Sequence, residues 1–310
     1  MAASSDSVLI VGSVALDSVE TPSGKVERAL GGAAVYSSIA ASFFAPVRIV
    51  GVIGEDFPKE HLKLLASRGI DTRGVQVVPG GKTFHWKGVY AGDLNQAQTV
   101  ATELNVFQDF RPRLPKDYRS SGFVFLANIH PELQLEVLDQ MESPKLTACD
   151  TMNFWIQGSR DALLEVLRRV DVAFVNDAEA RQLTGESNLN RAANEIHKLG
   201  PRYVVVKKGE HGAVMYCDRS MCFTAASYPL QEVVDPTGAG DSFAGGFMGH
   251  IARTGEVNEA NLRRAVIYGS TLASFNVQGF SLDRFKRLTI KEIDDRYEEF
   301  RRIVHFEPVG

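Results

Sequence analysis

Short runs of β-branched and aromatic residues alternate along this chain with longer amphipathic stretches, and this alternation limits its folds more than any other feature. Strands that alternate with helices are typical of a parallel sheet covered by helices on both faces. The pattern therefore predicts an α/β fold with a mostly parallel central sheet. The predicted strands are Val8 to Val11, Val47 to Val52, Phe123 to Leu126, Leu146 to Cys149, Val172 to Val175 and Tyr203 to Lys207.

The stretches between these runs have helical periodicity. Apolar residues recur there at spacings of three and four, as in the stripe formed by Leu163, Val166, Leu167 and Val170. This spacing is typical of helices that bury one face against a core. Helices are predicted over residues 60–68, 132–141, 162–170 and 178–184.

Two segments, residues 14–30 and 82–107, break the alternation. The first is polar and turn-rich, and the second alternates aromatic or β-branched residues with polar ones. Both are expected to form antiparallel strands. Because they share this style, we infer a small β-sheet built from insertions, which could close over a site as a lid. No linker or fixed-period repeat divides the chain, so residues 1–310 are expected to form a single domain with this lid.

The composition is that of a globular protein with a sizeable core. The chain has 310 residues, of which 44% are hydrophobic and 23% are charged. Lys and Arg number 34 against 38 Asp and Glu, which gives a net charge of −4, and no basic run stands out. Nucleic acid is therefore not an expected partner, because binding to phosphate backbones requires a concentrated cationic face.

The cysteines and the N-terminus indicate a reducing compartment. Cys149, Cys217 and Cys222 are too few and too scattered for a disulfide framework or paired zinc ligands, and they are predicted to be buried thiols. Residues 1–7 do not resemble a signal peptide, and no stretch reaches the roughly 20 apolar residues of a membrane span. A cytoplasmic location without a membrane partner is expected.

The glycine-rich segment 235–247 carries the strongest chemical signal. Gly238 and Gly240 flank Ala239 in a predicted turn, and phenylalanines at a four-residue spacing follow, so a buried helix is expected to begin near Gly240. Unpaired N–H groups and the helix dipole make such an N-terminus an anion site. Asp241 would lie beside the anion and could accept the proton of an attacking hydroxyl. The alternative is that Asp241 only caps the helix and the glycines only form a turn.

Three other motifs are incomplete. The nucleophile elbow G-x-S-x-G fails at Ala244, and the dinucleotide fingerprint G-x-G-x-x-G has Phe243 at its third glycine. Residues 80–83 imitate the end of a P-loop, but Gln76 stands where its first glycine belongs. A serine hydrolase and a nicotinamide dehydrogenase are therefore disfavoured.

Residues 235–243 closely resemble the C-terminal signature of the ribokinase, or PfkB, family of carbohydrate and nucleoside kinases. Residues 31–34, followed by a helix and by residues 50–57, resemble the N-terminal signature of that family. The two motifs lie about 200 residues apart in the family's order, and the resemblance extends from Val8 to about Phe285. It implies a ribokinase-like three-layer α/β fold with a small β-sheet lid.

The resemblance implies roles for the glycine-rich segment. Asp241 matches the family's catalytic base, which deprotonates the hydroxyl that attacks the γ-phosphate of ATP. The amides of Gly238, Ala239 and Gly240 match the anion hole, which stabilises charge on the transferred phosphoryl group. Thr237 is assigned to the nucleotide site with them.

Further nucleotide contacts are implied after two strands. Asn176 and Glu179 match the family's N-x-x-E motif, which is tied to Mg²⁺ indirectly and to the phosphates. Both follow a predicted strand, at the edge of the sheet where α/β ligands bind, although Glu179 on its own would be taken for a solvated helix residue. Lys208 and Gly209 match a nucleotide-contacting turn, in which the family's usual Thr is Lys207 here.

The acceptor site is implied near the N-terminus. Asp17 matches the family's substrate-hydroxyl binder, and Gly31 and Gly32 match the backbone that approaches the sugar closely. Tyr36 stands where the family has a sugar-binding Asn. Residues 150–153 resemble a family D-x-N stretch with one extra residue.

Two features of the resemblance leave alternatives open. Asn276 to Gly279 matches the lining of the adenine pocket, but a buried helix end is an equal interpretation; Asn276 and Gly279 are the candidates. The aromatic residues of the lid could stack on a nucleoside base, or they could pack the lid or a dimer interface. They are Phe84, His85, Trp86 and Tyr90.

The function implied is transfer of the γ-phosphoryl group of Mg-ATP to a primary hydroxyl of a small-molecule sugar or nucleoside. ATP and Mg²⁺ are the expected cofactors, with a monovalent cation as an optional third, and a homodimer through the lid is expected by resemblance. The alternative is a non-catalytic or regulatory ligand-binding protein on the same fold, since a fold does not determine a function.

Overall fold

The structure is a computed structural model that describes residues 6–92, 94, 97–217 and 220–307, without the side chains of residues 220 and 222. Its strands are β1 (Val8–Val11), β2 (Ala15–Thr21), β3 (Gly24–Gly31), β4 (Val47–Gly54), β5 (Ile70–Val78), β6 (Phe84–Val89), β7 (Gln98–Glu103), β8 (Phe123–Leu126), β9 (Leu146–Asp150), β10 (Val172–Asn176), β11 (Tyr203–Lys207), β12 (Ala213–Cys217) and β13 (Ser220–Ala225).

The helices lie between and after these strands. They are α1 (Ala33–Ser42), α2 (Lys59–Ser67), α3 (Pro131–Leu138), α4 (Asn153–Gly158), α5 (Arg160–Arg169), α6 (Asp177–Thr184), α7 (Leu189–Leu199), α8 (Ala239–Thr254), α9 (Glu259–Asn276), α10 (Asp283–Arg287) and α11 (Ile290–Ile303). None of the helices in the described ranges is both long and apolar enough to cross a membrane.

A nine-stranded sheet forms the centre of the molecule, in the order β13-β12-β11-β10-β9-β8-β1-β4-β5. The six predicted strands all lie in it and run parallel. Successive side chains of β1 enter opposite cores: Val8 and Ile10 face the core that includes α1, α8 and α9, and Leu9 and Val11 face the core that includes α3, α5 and α7. This alternation confirms the predicted three-layer α/β fold with a mostly parallel sheet.

The sheet has three strands that the sequence pattern did not indicate. The edge strand β5 pairs in parallel with β4, and β12 and β13 form an antiparallel hairpin beyond β11. The β5 sequence mixes Asp, Thr, Arg and Gln with valines, and only part of it is buried. An edge strand needs one neighbour and can keep polar side chains, so it lacks the continuous apolar run of an inner strand.

A second, four-stranded sheet has the order β3-β2-β6-β7 and comes from the two predicted insertions. The pairs β2/β3 and β6/β7 are antiparallel as expected, but β2 and β6 join the two pairs in parallel. Thr21 at the end of β2 donates a 2.8 Å hydrogen bond to the carbonyl of Val234, so this small sheet contacts the segment before α8. Residues 93, 95 and 96 of the predicted insertion lie outside the described residues.

The cysteines divide into two kinds. Cys149 on β9 is a buried free thiol whose pKa is raised by burial and by the charge of Asp150. Cys217 at the end of β12 is disulfide-bonded, so the expectation of thiols throughout is wrong at this residue.

Candidate active site

The N-terminus of α8 is a turn with open backbone donors. Gly238 is the N-cap residue with φ of 76°, and α8 begins at Ala239, one residue before the predicted start. The Ala239 N–H donates to the carbonyl of Pro236 at 3.1 Å. Within the described part of the chain, the N–H groups of Gly238 and Gly240 have no hydrogen-bond partner. Of the three predicted anion-hole amides, these two are therefore left for a ligand.

Two buried side chains contact the turn at Gly238 and support its conformation. The ring of Tyr36, only 2% exposed, packs against Gly238, where an added Cβ would lie 2.4 Å from the ring Cγ. Asn276 at the end of α9 donates a 2.7 Å hydrogen bond to the carbonyl of Thr237 and accepts one from the hydroxyl of Ser242 at 3.2 Å. Tyr36 and Asn276 thus support the turn. Asn276 is the buried last residue of α9, and its place in an adenine pocket stays a prediction.

Asp241 lies in the first turn of α8, beside the open amides. Burial and the negative charge of Asp150 raise the pKa of its carboxyl to about 7, while the positive charge of Lys207 opposes them. Its side chain remains partly exposed, so a ligand can reach it. An unshifted carboxylate is a weak base, and this shift makes Asp241 a better acceptor for the proton of a hydroxyl.

A buried ion pair stands next to this helix start. The Lys207 Nζ at the end of β11 lies 2.6 Å from Asp150 Oδ2 at the end of β9. The same nitrogen would lie 3.1 Å from a Cβ on Gly240. Burial alone would lower the pKa of Lys207, but the charges of Asp150 and Glu179 outweigh it and raise that pKa. The ammonium therefore stays charged beside the turn.

The N-x-x-E motif forms a capping box at the start of α6. The Asn176 side chain accepts a hydrogen bond from the Glu179 N–H at 2.8 Å, and Glu179 Oε2 accepts one from the Asn176 N–H at 2.7 Å. Burial raises the pKa of Glu179, against the lowering effect of Lys207. The capping box explains both residues locally, and it leaves one Glu179 oxygen available to a ligand.

Asp17 on β2 faces the same region. The Gly32 N–H donates to Asp17 Oδ2 at 3.3 Å, and a Cβ on Gly31 would lie 1.9 Å from that oxygen. Burial raises the pKa of Asp17 to about 7, and the charges of Asp235 and Asp241 add to the rise. The fold therefore brings the predicted substrate binder and the predicted base together, although 224 positions separate them in the sequence.

The aromatic residues of the small sheet have different partners. Phe84 stacks on Phe107 with ring centroids 5.4 Å apart, and Trp86 donates to the Thr99 hydroxyl at 3.3 Å. These contacts favour packing within the sheet over base stacking. Tyr90 differs, because its hydroxyl accepts a 3.3 Å hydrogen bond from Thr237 beside the α8 turn.

The remaining predicted nucleotide residues lie in two turns. Lys208 and Gly209 follow Lys207 directly, and the Lys208 N–H donates to the carbonyl of Gly212 at 2.8 Å. Gly279 lies in the loop between α9 and α10. Their nucleotide contacts stay predictions.

Sequence reasoning did not foresee the roles of Asp150, Asp235 and Lys207. Asp235 accepts hydrogen bonds from the N–H groups of Thr237 at 2.9 Å and Ser281 at 3.3 Å, which orders the turn before α8. Each residue carried a signal in the sequence: Asp235 opens the glycine-rich segment, Lys207 replaces a family Thr, and Asp150 opens the stretch that resembles the D-x-N motif. The ion pair between Lys207 and Asp150 could be predicted only from the order of the strands in the sheet.

Comparison with known proteins finds a family profile and several similar kinases. The sequence profile described as pfkB family carbohydrate kinase matches residues 5–285. A cytidine kinase of Thermococcus kodakarensis is 35% identical over 251 residues, which cover 79% of this chain and 88% of that protein. A nucleoside kinase of Methanothermobacter thermautotrophicus is 27% identical over 283 residues, covering 90% of this chain and 86% of that protein.

The fold has close structural counterparts as well. An Escherichia coli protein assigned as a ribokinase II, solved in complex with ATP and Mg²⁺, superposes with a TM-score of 0.76 at 20% identity. The superposition covers 96% of this chain and 99% of that one, which confirms the ribokinase-like fold. With the profile matching nearly the whole chain around a site of this construction, the predicted family is confirmed: the chain is a kinase of the pfkB family of carbohydrate kinases.

Proposed function

We propose that this kinase transfers the γ-phosphoryl group of Mg-ATP to a primary hydroxyl of a nucleoside or a sugar. The observation that carries the proposal is the carboxyl of Asp241, with a pKa raised to about 7, beside the open amides of Gly238 and Gly240. A base next to donors for an anion is the arrangement that phosphoryl transfer to an alcohol requires.

Asp241 acts as the general base in this mechanism. Its carboxylate accepts the proton of the acceptor hydroxyl as that oxygen bonds to the γ-phosphorus. Asp17, held by the Gly32 N–H, binds a neighbouring hydroxyl and so orients the attacking one. A general base of this kind contributes about 10²–10⁴ in rate.

The N-terminus of α8 binds the charge that moves with the phosphoryl group. The N–H groups of Gly238 and Gly240 donate to its oxygens, and the helix dipole adds to their effect. Ala239 joins them only if its N–H leaves the carbonyl of Pro236. Further contacts to the nucleotide are assigned in this proposal to Lys208, Gly209, Thr237, Asn276 and Gly279.

The acidic residues at the sheet edge fit a Mg²⁺ ion bound mainly by phosphates and water. Among the described residues, no group of three or more His, Cys, Asp or Glu could enclose a metal. Mg²⁺ commonly uses only one or two carboxylates together with substrate phosphates. Glu179 would hold it indirectly through the oxygen that the capping box leaves available, and the ion would neutralise phosphate charge. A monovalent cation remains an optional part of the proposal.

A nucleoside is the favoured acceptor. The relative at 35% identity is a cytidine kinase, and Tyr36 replaces the Asn with which the family binds sugar hydroxyls. The small sheet would close over the acceptor as a lid of the single domain, since Tyr90 and Thr21 already contact the segment before α8. Pairing of two chains through this sheet belongs to the same proposal.

The test is ADP release from Mg-ATP with a panel of acceptors: cytidine, adenosine, inosine, ribose, fructose, fructose phosphates and myo-inositol, each with and without K⁺. Cytidine or another nucleoside should give the highest kcat/KM. Asp241→Asn should lower kcat by about 10²–10⁴ while ATP binding, measured by calorimetry, is kept.

Activity of Asp241→Asn within a few-fold of the wild type would remove Asp241 from its role as base. ATP binding without turnover on any acceptor would instead support the regulatory alternative.

A further inference from the structure

Lys207 is a charged residue of the site that stands where the family has an uncharged Thr, so the resemblance assigns no role to its ammonium. Its side chain is 16% exposed and that of its partner Asp150 is 5% exposed. Within the described part of the chain, Asp150 is the acceptor found for its ammonium. Since an ammonium has three N–H donors, two remain for a ligand.

The position of the ammonium relates it to the anion site. The Lys207 Nζ would lie 3.1 Å from a Cβ on Gly240, so the ammonium lies directly beside the backbone of this residue. The Gly240 N–H is one of the two open donors at the start of α8. The ammonium and this amide therefore border the same space.

The charges around Lys207 come from three different elements. Asp150 on β9, Glu179 on α6 and Asp241 on α8 all act on its ammonium. One cation thus stands among three carboxylates, and a triphosphate entering this space would meet strong repulsion without it. Asp150 alone would account for a buried structural ion pair. A structural ion pair does not explain why the Lys207 ammonium lies next to Gly240, nor why the Lys207 side chain is partly exposed.

We propose that Lys207 is a further catalytic residue, whose ammonium contacts the terminal phosphoryl group of the bound triphosphate, with Asp150 holding it in place. This inference rests on the proposed function. In the transfer, the bond from the γ-phosphorus to the leaving ADP oxygen breaks and the bond to the acceptor oxygen forms. Asp241 takes the hydroxyl proton, and Lys207 keeps its own protons throughout. Its charge offsets the negative charge of the transferred group, as the amides of Gly238 and Gly240 do.

The test compares binding of a triphosphate and a diphosphate without turnover. Affinities for a non-hydrolysable ATP analogue and for ADP, both with Mg²⁺, are measured by calorimetry for the wild type and for Lys207→Met and Lys207→Arg. Lys207→Met should lose about tenfold or more in affinity for the triphosphate and less than about threefold for ADP. Lys207→Arg should keep most of the difference in affinity between the triphosphate and ADP, because it keeps the positive charge.

The kinetic readout should agree with the binding data. In steady-state assays, Lys207→Met should lower kcat by about a hundredfold and leave the KM of the acceptor near the wild-type value. Lys198→Met, which removes an exposed lysine of α7 paired with Glu195, is the matched control and should change neither quantity.

A second variant separates catalysis from folding, because Lys207→Met leaves the charge of Asp150 unpaired. Asp150→Asn/Lys207→Met removes both charges, so its melting temperature should return toward that of the wild type. Its preference for the triphosphate should stay lost. Two outcomes would overturn the role of Lys207 without affecting the proposed function. One is a double variant that regains the preference for the triphosphate over ADP. The other is a Lys207→Met variant whose affinity falls equally for the triphosphate and for ADP. A wild type that binds neither nucleotide overturns the proposed function and this inference together.

Discussion

Individual glycines of the site make room for particular side chains. Gly31 lies where a Cβ would touch the carboxylate of Asp17, and Gly238 lies where a Cβ would enter the ring of Tyr36. Gly238 also has φ of 76°, a backbone conformation that other residues adopt only with strain. The identity of these residues is therefore set by contacts with side chains far away in the sequence.

Gly238→Ala should lower both stability and activity. Its Cβ would lie 2.4 Å from Tyr36, which must move and would shift the open amides of the turn. Since a 1 Å misplacement can cost about a hundredfold in rate, we expect kcat to fall by about 10². Steady-state kinetics and thermal unfolding measure the two effects.

Gly255→Ala is the matched control for this variant. Gly255 ends the same helix with φ of 68°, but nothing lies within 4 Å of its added Cβ. It should cost about 1 kcal/mol of stability from backbone strain and leave kcat unchanged. Equal loss of activity in both variants would mean that the contact with Tyr36 is irrelevant.

At the scale of elements, the end of one helix organises the start of another. The last residue of α9, Asn276, is 1% exposed and links the carbonyl of Thr237 to the hydroxyl of Ser242 in α8. The two helices pack against each other on one face of the central sheet. The turn that binds the phosphoryl group thus takes its shape from the packing of α9.

Asn276→Ala should destabilise the chain by about 1–3 kcal/mol, because it leaves a buried carbonyl and a buried hydroxyl without their partner. The affinity for ATP should fall by severalfold as the turn loosens. Ser242→Ala loses only one of the two hydrogen bonds and should have a smaller effect on both. Urea unfolding and calorimetry measure the differences, and a larger effect of Ser242→Ala on ATP affinity would contradict this role of Asn276.

At the scale of the whole molecule, the fold concentrates acidic groups. Burial is the main cause that raises the pKa of Asp17 on β2 and of Asp241 on α8 to about 7, and the negative charge of Asp241 adds to the rise at Asp17. In the unfolded chain the pKa of both returns to about 3.9. The folded chain therefore binds more protons than the unfolded chain between these values, so these groups lower its free energy of unfolding as the pH rises from 4 to 7.

The variant Asp17→Asn/Asp241→Asn should therefore match the stability of the wild type near pH 4 and exceed it by a margin that grows up to pH 7. The amide imitates the protonated carboxyl at every pH, so the expected difference in Tm at pH 8 is about 5 °C. A comparison of variants is needed because His250, whose pKa is lowered to about 4 by burial, contributes the opposite slope.

Calorimetry of the ligand-free protein from pH 4 to pH 8 measures this effect. Asp139→Asn, which removes an exposed carboxylate paired with Arg169, is the control and should follow the wild type. A double variant that is less stable than the wild type at pH 8 would contradict the cost assigned to the two charges.

The sequence by itself determined the fold class and most of its elements. Inner strands such as Phe123–Leu126 are continuous apolar runs because both faces are buried, and such runs can be recognised without any partner. The edge strands β5 and β13 have a neighbouring strand on one side only, and the mixed composition of β5 shows no continuous apolar run. The glycine-rich segment could also be recognised from the sequence, since the turn, its amides and Asp241 are neighbours along the chain.

Only the tertiary structure decided which distant residues meet. Lys207 and Asp150 end strands that β10 separates, and their 2.6 Å contact exists because parallel strands finish at one edge in a particular register. The packing of the Tyr36 ring against Gly238 follows from the same assembly. Strand order and register are set by packing of the whole core, and local sequence carries little information about them.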